Sequence, residues 1–147
     1  MDIKALASKL AQCQGTRNPF KIAANLGYIV IDTPLEGIRG YYQYLHRCHI
    51  IYLDNKLDEG ARRWVCAHEL GHSLLHKECN RIFMDTRTRM VTSRYEKEAD
   101  CFAVDLLFGD DDLQELLACP MPTVASCLGV SYDLAEYRMS TVNRPGN

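Results

Sequence analysis

The chain has 147 residues, 47% of them apolar and 24% charged, and this composition excludes a disordered or collagen-like protein. Its formal net charge of −2 disfavours nonspecific nucleic-acid binding, which requires an excess of basic residues. Because no apolar run reaches the length of about 18 residues that spans a bilayer, and no long apolar stretch marks a secretory signal, we expect a cytoplasmic protein with no membrane partner.

The first third of the chain predicts two helices and a strand. Apolar residues recur at helical spacing over residues 3–10, and this helix closes near Gly15. The pair Asn18-Pro19 is a good helix start, since asparagine caps the first turn and proline fits the first helical position. This second helix ends before Gly27, and the apolar run 28–31 is typical of a buried strand.

The middle of the chain predicts a hairpin and then two long helices. The β-rich runs 40–44 and 49–53 are separated by four residues, which favours an antiparallel hairpin. A segment from about 58 to 77 contains no proline and is long enough for about five helical turns. A basic, mixed stretch over 77–93 follows, with arginines that would guide an acidic substrate segment or belong to a solvated loop. The next helix covers about 93–108.

The C-terminal part predicts two or three short helices broken by Pro120 and Pro122, with Asp110–Asp112 at a helix N-terminus. This order of elements indicates an α+β fold, in which a small antiparallel sheet of about three strands packs on helices at one side. We expect a single domain over 1–147, with a catalytic core at about 18–109 and a helical cap at about 110–140.

The cysteines indicate reduced thiols and not a disulfide framework. There are seven, an odd number, and no two are spaced as C-x-x-C. Several, including Cys66 and Cys101, fall within apolar helical patterns, so we expect buried thiols in a cytosolic protein.

The first long helix contains an H-E-x-x-H motif at residues 68–72. Because residues four apart share one helix face, the imidazoles of His68 and His72 can bind one metal ion. Glu69 lies about 100° further around the helix, which suits a general base acting on the attacking water better than a third ligand. The alternative is a surface helix with two unrelated histidines. The apolar residues around the motif argue against it, because buried imidazoles and a buried carboxylate need partners.

A catalytic zinc site requires a third protein ligand, and Glu96 is the best candidate. Glu96 and Asp100 lie on the inward face of the second long helix, together with the apolar stripe at 99, 102, 103, 106 and 107. Zinc can take Glu96, while Asp100 can hydrogen-bond the far ring nitrogen of a ligand histidine. His76 is disfavoured as a ligand, because eight residues of helix rise about 12 Å from His68.

Two alternatives for the acids of this helix stay open. In the first, the segment from Ser93 to Glu96 forms a capping box, and Glu96 folds back onto the Ser93 amide. In the second, Glu98 is the ligand, although periodicity places it on the side of Arg94 and Phe102 and away from the face of Glu96.

The two segments together resemble the ImmA/IrrE family of metallo-endopeptidases. The residues that carry the resemblance are the motif at 68–72 with 74–76, then Glu96, Ala99, Asp100, Phe102, Ala103 and 106–107, and upstream 50–53 and Ala67. The resemblance covers about residues 18–138. In one difference, Phe108-Gly109 stands where that family has Met-Pro.

The resemblance implies a zincin-like domain with one zinc ion per chain, held by His68, His72 and Glu96, with Glu69 as the base. The step from Glu96 to Asp100 is also similar to thermolysin-type zincins, in which the aspartate supports the first histidine. Members of the family belong to phages, mobile elements or stress operons, and they cleave a helix-turn-helix repressor to relieve repression. The expected partner is therefore a protein substrate, with no direct nucleic-acid contact.

Two further features of a peptidase are open at this point. A second donor for the developing oxyanion is usual, and Tyr41, Tyr42, Tyr44 and Tyr95 are candidates among which the sequence does not choose. The strand 49–53 would be an open edge that receives the substrate backbone, or alternatively a protected inner strand.

Two other functions compete with the peptidase. Residues 125–131 resemble the turn of a helix-turn-helix unit, which suggests a non-catalytic regulatory or DNA-binding protein. The helix that follows has no base before Arg138, which disfavours phosphate contact and favours a helical cap or a surface that docks the repressor. A degenerate peptidase acting as a binding module is disfavoured by the complete motif.

Overall fold

In a computed structural model of the chain, residues 2–76 and 88–144 are described, with the side chains of the second range described from residue 93. Helix α1 spans Ile3–Gln14 and ends at Gly15, whose left-handed φ of 66° suits glycine. Helix α2 spans Pro19–Asn25, and the Asn18 side chain caps it by accepting from the amides of residues 20 and 21. Both predicted helices are confirmed.

Three strands form one sheet in the order β1-β3-β2, with β1 at Ile29–Thr33, β2 at Gly40–Leu45 and β3 at Cys48–Asp54. The hairpin of β2 and β3 is antiparallel as predicted, with Tyr41 opposite Tyr52. The expectation of a wholly antiparallel sheet is wrong, because β1 pairs with β3 in parallel, with Ile29 beside Ile50. Strand β3 lies between β1 and β2, parallel to the first and antiparallel to the second, so the sheet is mixed.

The position of β3 also overturns the expected open edge at residues 49–53. This strand lies in the centre of the sheet, hydrogen-bonded on both sides, and the open edges belong to β1 and β2. Its alternation places Ile51 and Leu53, both fully buried, on the face that α3 covers. The helices lie on one side of the sheet, and β1 is therefore less buried than predicted, with Ile29 at 45% exposure.

The two long helices contribute most of the core. Helix α3 spans Glu59–Leu75, and Asp58 caps it by accepting from the Ala61 amide at 2.7 Å. Helix α4 spans Thr88–Leu107, so it begins five residues before the predicted start at Ser93. Residues 88–92 lack a clear apolar pattern, so the sequence assigns them to the basic, mixed stretch. They contain neither proline nor glycine, so a helix can extend through them. Most of the predicted basic stretch, including Arg81 and Arg87, lies outside the described residues.

The C-terminal part is helical, as expected. A 3-10 helix at Asp111–Leu116 is followed by α5 at Met121–Leu128 and α6 at Tyr132–Ser140. Pro120 precedes α5, but Pro122 does not break it, because proline is tolerated in the first turn of a helix. Within the described part of the chain, no helix is at once long and apolar enough to cross a membrane.

Two arginines hold the C-terminal end of α4. The Arg17 guanidinium donates to the carbonyl oxygens of Asp105 and Leu106 at 3.2 and 3.0 Å. Arg138 of α6 is 1% exposed, donates to the Phe108 carbonyl at 2.8 Å and pairs with Asp110 at 2.7 Å. These contacts satisfy carbonyl groups that have no partner within the helix, so they fix where α4 ends.

The described cysteines are free thiols, in agreement with the expected reduced state. The expectation that they are buried holds for Cys66 but is wrong for most of them. Cys13, Cys48 and Cys127 are exposed, while Cys101 and Cys119 are half-buried. Apolar neighbours in sequence did not decide burial here, because a helix such as α1 or α5 also has an outward face.

Candidate metal centre

The H-E-x-x-H motif lies in the buried middle of α3. His68 and His72 are one turn apart, and their Nε2 atoms approach to 3.2 Å. The His72 side chain is 5% exposed and that of His68 is 14% exposed. Glu69, the predicted base, is buried on the same helix at 4% exposure.

A glycine inside the motif allows α4 to approach this helix. A Cβ atom at Gly71 would lie 2.9 Å from Cδ1 and 3.2 Å from Cβ of Phe102, a fully buried residue of α4. Atoms so close overlap, so any larger residue at position 71 would push the helices apart. The close approach brings the carboxylates of α4 within reach of the histidines of α3.

The third member of the cluster is Glu96, as the periodicity of α4 predicted. Its two carboxylate oxygens lie 2.9 Å from His68 Nε2 and 2.9 Å from His72 Nε2. Histidine, cysteine, aspartate and glutamate are the side chains that could hold a metal ion here. Among the described residues, these three form the one such group in which one potential ligand atom from each residue lies within 4.8 Å of the others. The capping-box alternative is wrong, because Ser93 lies inside α4 and the Glu96 carboxylate faces the histidines.

The geometry of the cluster fits a zinc ion. Tetrahedral zinc with bonds of about 2.0–2.1 Å separates its ligand atoms by about 3.3 Å. The contacts within the cluster are hydrogen-bond distances of 2.9–3.2 Å, and Glu96 uses a different carboxylate oxygen for each histidine, so the three side chains are close enough to share one ion. Two histidines and one glutamate also form a donor set found in catalytic zinc sites. The Glu96 side chain is 47% exposed, so solvent reaches the cluster on this side.

Asp100 contacts the far side of the first histidine. Its Oδ1 atom lies 2.8 Å from His68 Nδ1. When Nε2 of His68 faces a metal, Nδ1 carries the proton and donates it in a hydrogen bond to Asp100, which fixes the tautomer and the ring plane. The structure therefore places Asp100 where the sequence predicted it.

The histidines and carboxylates of the cluster shift one another's pKa values. Burial lowers the pKa of His68, but its hydrogen bonds to Asp100 and Glu96 outweigh burial and raise the pKa to about 9. The hydrogen bonds from His68 and His72 hold the pKa of Glu96 well below its usual range. A metal ion that binds at Nε2 replaces the proton there.

The structure also brings His76 to this site, in a way that the sequence analysis missed. His76 is not a member of the three-residue cluster, as its distance along the helix predicted. Its Nδ1 atom instead lies 3.0 Å from His72 Nδ1, and its Nε2 atom lies 3.2 Å from Glu98. The signal was the spacing of four residues between His72 and His76, which places the two rings on one helix face. The alternative of Glu98 as a ligand is not supported, since its carboxylate faces His76 and Arg94.

The contacts of the four candidate tyrosines identify no oxyanion donor. Tyr95 stacks on His76 with 4.0 Å between ring centroids, and Tyr41 stacks on Tyr52 at 4.4 Å. The Tyr42 hydroxyl lies 2.5 Å from His49 Nδ1 on the inner face of the sheet. Tyr44 is 59% exposed.

A family model and two curated relatives are similar to this chain. The family model Peptidase_M78, described as the IrrE N-terminal-like domain, matches residues 23–140. Immunity region protein 2 of Bacillus phage phi105 is 39% identical over 109 residues, which are 74% of this chain and 69% of that protein. Metallopeptidase ImmA of Bacillus subtilis strain 168 is 24% identical over 151 aligned positions, covering 99% of this chain and 88% of the relative.

One solved structure shows the same fold. A Mycobacterium tuberculosis transcriptional regulator superimposes with a TM-score of 0.61 at 17% identity. The match covers 99% of this chain but 48% of the regulator, so the chain spans about half the length of that protein. At this level of identity the likeness concerns the fold alone.

Proposed function

The chain belongs to the Peptidase_M78 family of IrrE N-terminal-like domains, a metallopeptidase family, and from this premise we propose that it is a zinc-dependent endopeptidase with one zinc ion per chain. The observation that carries the proposal is the three-residue cluster. Two imidazole nitrogens of α3 and one carboxylate of α4 converge, with one potential ligand atom from each residue within 4.8 Å of the others. Two histidines and one glutamate are a donor set of catalytic zinc sites. We further propose that residues 18–109 form the catalytic core and 110–140 a helical cap of one cytoplasmic domain.

In the proposed reaction the metal ion would supply Lewis acidity, and the residues of the chain would hold the ion and transfer the proton. A bound zinc ion supplies Lewis acidity, which activates water and polarises a peptide carbonyl. His68, His72 and Glu96 would hold that ion, and Asp100 would orient His68 through its contact at Nδ1. Glu69 accepts the proton of the attacking water and later donates it to the amine that leaves, as general acid-base catalysis requires. Glu69 is 4% exposed and is the neighbour in sequence of the first histidine of the cluster, which supports this role.

We propose that the substrate is a helix-turn-helix repressor of a phage, mobile element or stress operon. The family resemblance implies such a substrate, and the relatives named immunity region protein and metallopeptidase ImmA support it. Cleavage of the repressor would relieve transcriptional repression. The protein then needs no contact of its own with nucleic acid.

The experiment compares the wild type with Glu69→Gln during co-expression with a helix-turn-helix repressor taken from the genes next to its own. The wild type is expected to cleave the repressor at a defined bond, located by mass spectrometry of the fragments. Glu69→Gln should keep stoichiometric zinc, measured by elemental analysis, and lose cleavage by a factor of about 100 or more. Glu59→Gln is the matched control, because Glu59 is an exposed acid in the first turn of the same helix. Full cleavage by Glu69→Gln would overturn the base assignment, and a wild type that binds no zinc would overturn the proposal.

The DNA-binding alternative is disfavoured by the position of one side chain. Helices α5 and α6 do meet at a turn, where Gly129 has a φ of 71°. The base that α6 carries, Arg138, is 1% exposed and pairs with Asp110, so it is not available to a phosphate. A gel-shift experiment discriminates the two, since the peptidase is expected to leave operator DNA unshifted.

A further inference from the structure

The second histidine of the cluster has a contact of its own on the side away from Glu96. His76 ends α3, and its backbone amide still donates to the His72 carbonyl at 2.9 Å. This places the two rings 5.1 Å apart between centroids, with the Nδ1 atoms 3.0 Å apart. The His76 side chain is 4% exposed, so the contact is shielded from water.

The direction of this hydrogen bond follows from the chemistry of imidazole. Since Nε2 of His72 faces Glu96 and the other ligand nitrogen, that atom must keep its lone pair to bind a metal. The ring proton of neutral His72 then sits on Nδ1, and Nδ1 of His76 must accept it.

The same reasoning fixes the tautomer of His76. A histidine that accepts at Nδ1 carries its proton at Nε2, and this atom lies 3.2 Å from the carboxylate of Glu98. Glu98 in turn lies 3.4 Å from Arg94. The contacts from His72 through His76 to Glu98 therefore form a hydrogen-bonded series in which each donor atom faces an acceptor atom.

We propose that His76, supported by Glu98, is a positioning residue of the metal centre, which orients His72 and holds it in the tautomer that presents Nε2 to the ion. This inference rests on the proposed function. It gives each histidine ligand a partner at Nδ1: Asp100 for His68 and His76 for His72. Partners of this kind change metal affinity by about 10–100-fold when they are removed.

A purely structural role for His76 is the rival explanation, because the ring also stacks on Tyr95 at 4.0 Å. Two substitutions separate the roles. His76→Phe keeps an aromatic ring for stacking but has no acceptor at the Nδ1 position. His76→Asn loses the ring but places an amide oxygen at the position of Nδ1, where it can accept from His72.

The test measures zinc affinity of the full chain by competition with a chromophoric chelator, and the visible spectrum of the cobalt(II)-substituted protein. His76→Phe is expected to bind zinc at least 10-fold more weakly and to alter the cobalt spectrum. His76→Asn should recover most of the affinity and the spectrum. Thermal unfolding of the metal-free variants reports separately on whether the fold is retained.

A further variant tests the contact between His76 and Glu98. Glu98→Ala is expected to weaken zinc binding by a smaller factor than His76→Phe, since Nδ1 of His76 is still present. Wild-type affinity and spectrum in His76→Phe would overturn the inference while leaving the zinc site intact. Failure of His76→Asn to recover any of the affinity lost in His76→Phe would also overturn it, because restoring an acceptor at the Nδ1 position would then have no effect. A wild type without zinc affinity would instead overturn the proposed function, and this inference with it.

Discussion

Replacing Gly71 by alanine tests whether the close approach of α3 and α4 builds the site. The added Cβ would lie 2.9 Å from Cδ1 and 3.2 Å from Cβ of Phe102. Phe102 is fully buried, so its ring has no free space into which to turn. The contact must be relieved by moving α4, and α4 carries Glu96 and Asp100.

Two opposing effects set the magnitude. Alanine is favoured over glycine inside a helix by about 1 kcal/mol. Overpacking of a buried site costs about 1–3 kcal/mol. The free energy of unfolding of the metal-free protein is therefore expected to fall by up to about 2 kcal/mol, and zinc affinity is expected to fall with it.

Urea denaturation of a double-mutant cycle measures the coupling. Phe102→Ala alone should cost about 3–5 kcal/mol, since it empties a buried site. In that background Gly71→Ala should become neutral or stabilising, because the ring that opposed it is gone. Gly60→Ala is the matched control in the same helix, where the nearest atom to a new Cβ is at 3.7 Å. If Gly71→Ala stabilises the wild type as much as Gly60→Ala does, the close approach is not what holds the helices.

Three other outcomes are expected. Asp100→Ala frees Nδ1 of His68 and should weaken zinc binding by about 10–100-fold in a chelator competition, and unchanged affinity would contradict its role. Zinc at 100 times its dissociation constant should raise the free energy of unfolding by about 2.7 kcal/mol, seen as a higher melting temperature that a chelator abolishes. Burial raises the pKa of Asp110, but hydrogen bonds from Arg138 and Lys4 lower it by more, so its folded pKa is depressed. This stabilisation is present above the unfolded pKa of about 3.9 and is lost on further acidification, so the wild type should lose more stability than Asp110→Asn in acid urea titrations.

The parts of the site that the sequence predicted are those that one helix determines by its own periodicity. The spacing of His68 and His72 fixes a shared face whatever surrounds the helix. Glu96 and Asp100 were placed by the apolar stripe of α4, which must face the core. The start of α2 was predicted for the same reason, since the Asn18 side chain accepts from the amides of residues 20 and 21.

The parts that were missed depend on how elements meet. Hydrophobic alternation indicates which face of a strand is buried but not which strand lies beside it, so the central place of β3 could not be read from its residues. The distance of His76 from His68 along the helix excludes a shared ion but says nothing about a contact between His76 and the ring of His72. Arg138 belongs to a residue type that is mostly exposed, and its burial depends on Asp110 and the Phe108 carbonyl from elsewhere in the chain.

The position of Glu96, the proposed third ligand, depends on contacts far from it. Glu96 is carried by α4, and α4 is fixed along its length by Phe102 against α3 and at its end by Arg17 and Arg138. Those arginines come from opposite ends of the chain, one before α2 and one from α6. A zinc site requires bond lengths within about 0.2 Å of their usual values, so in the proposed site we expect these two arginines to affect metal affinity without touching the ion. Replacing either one should therefore weaken zinc binding in the chelator competition as well as lower the stability of the metal-free protein.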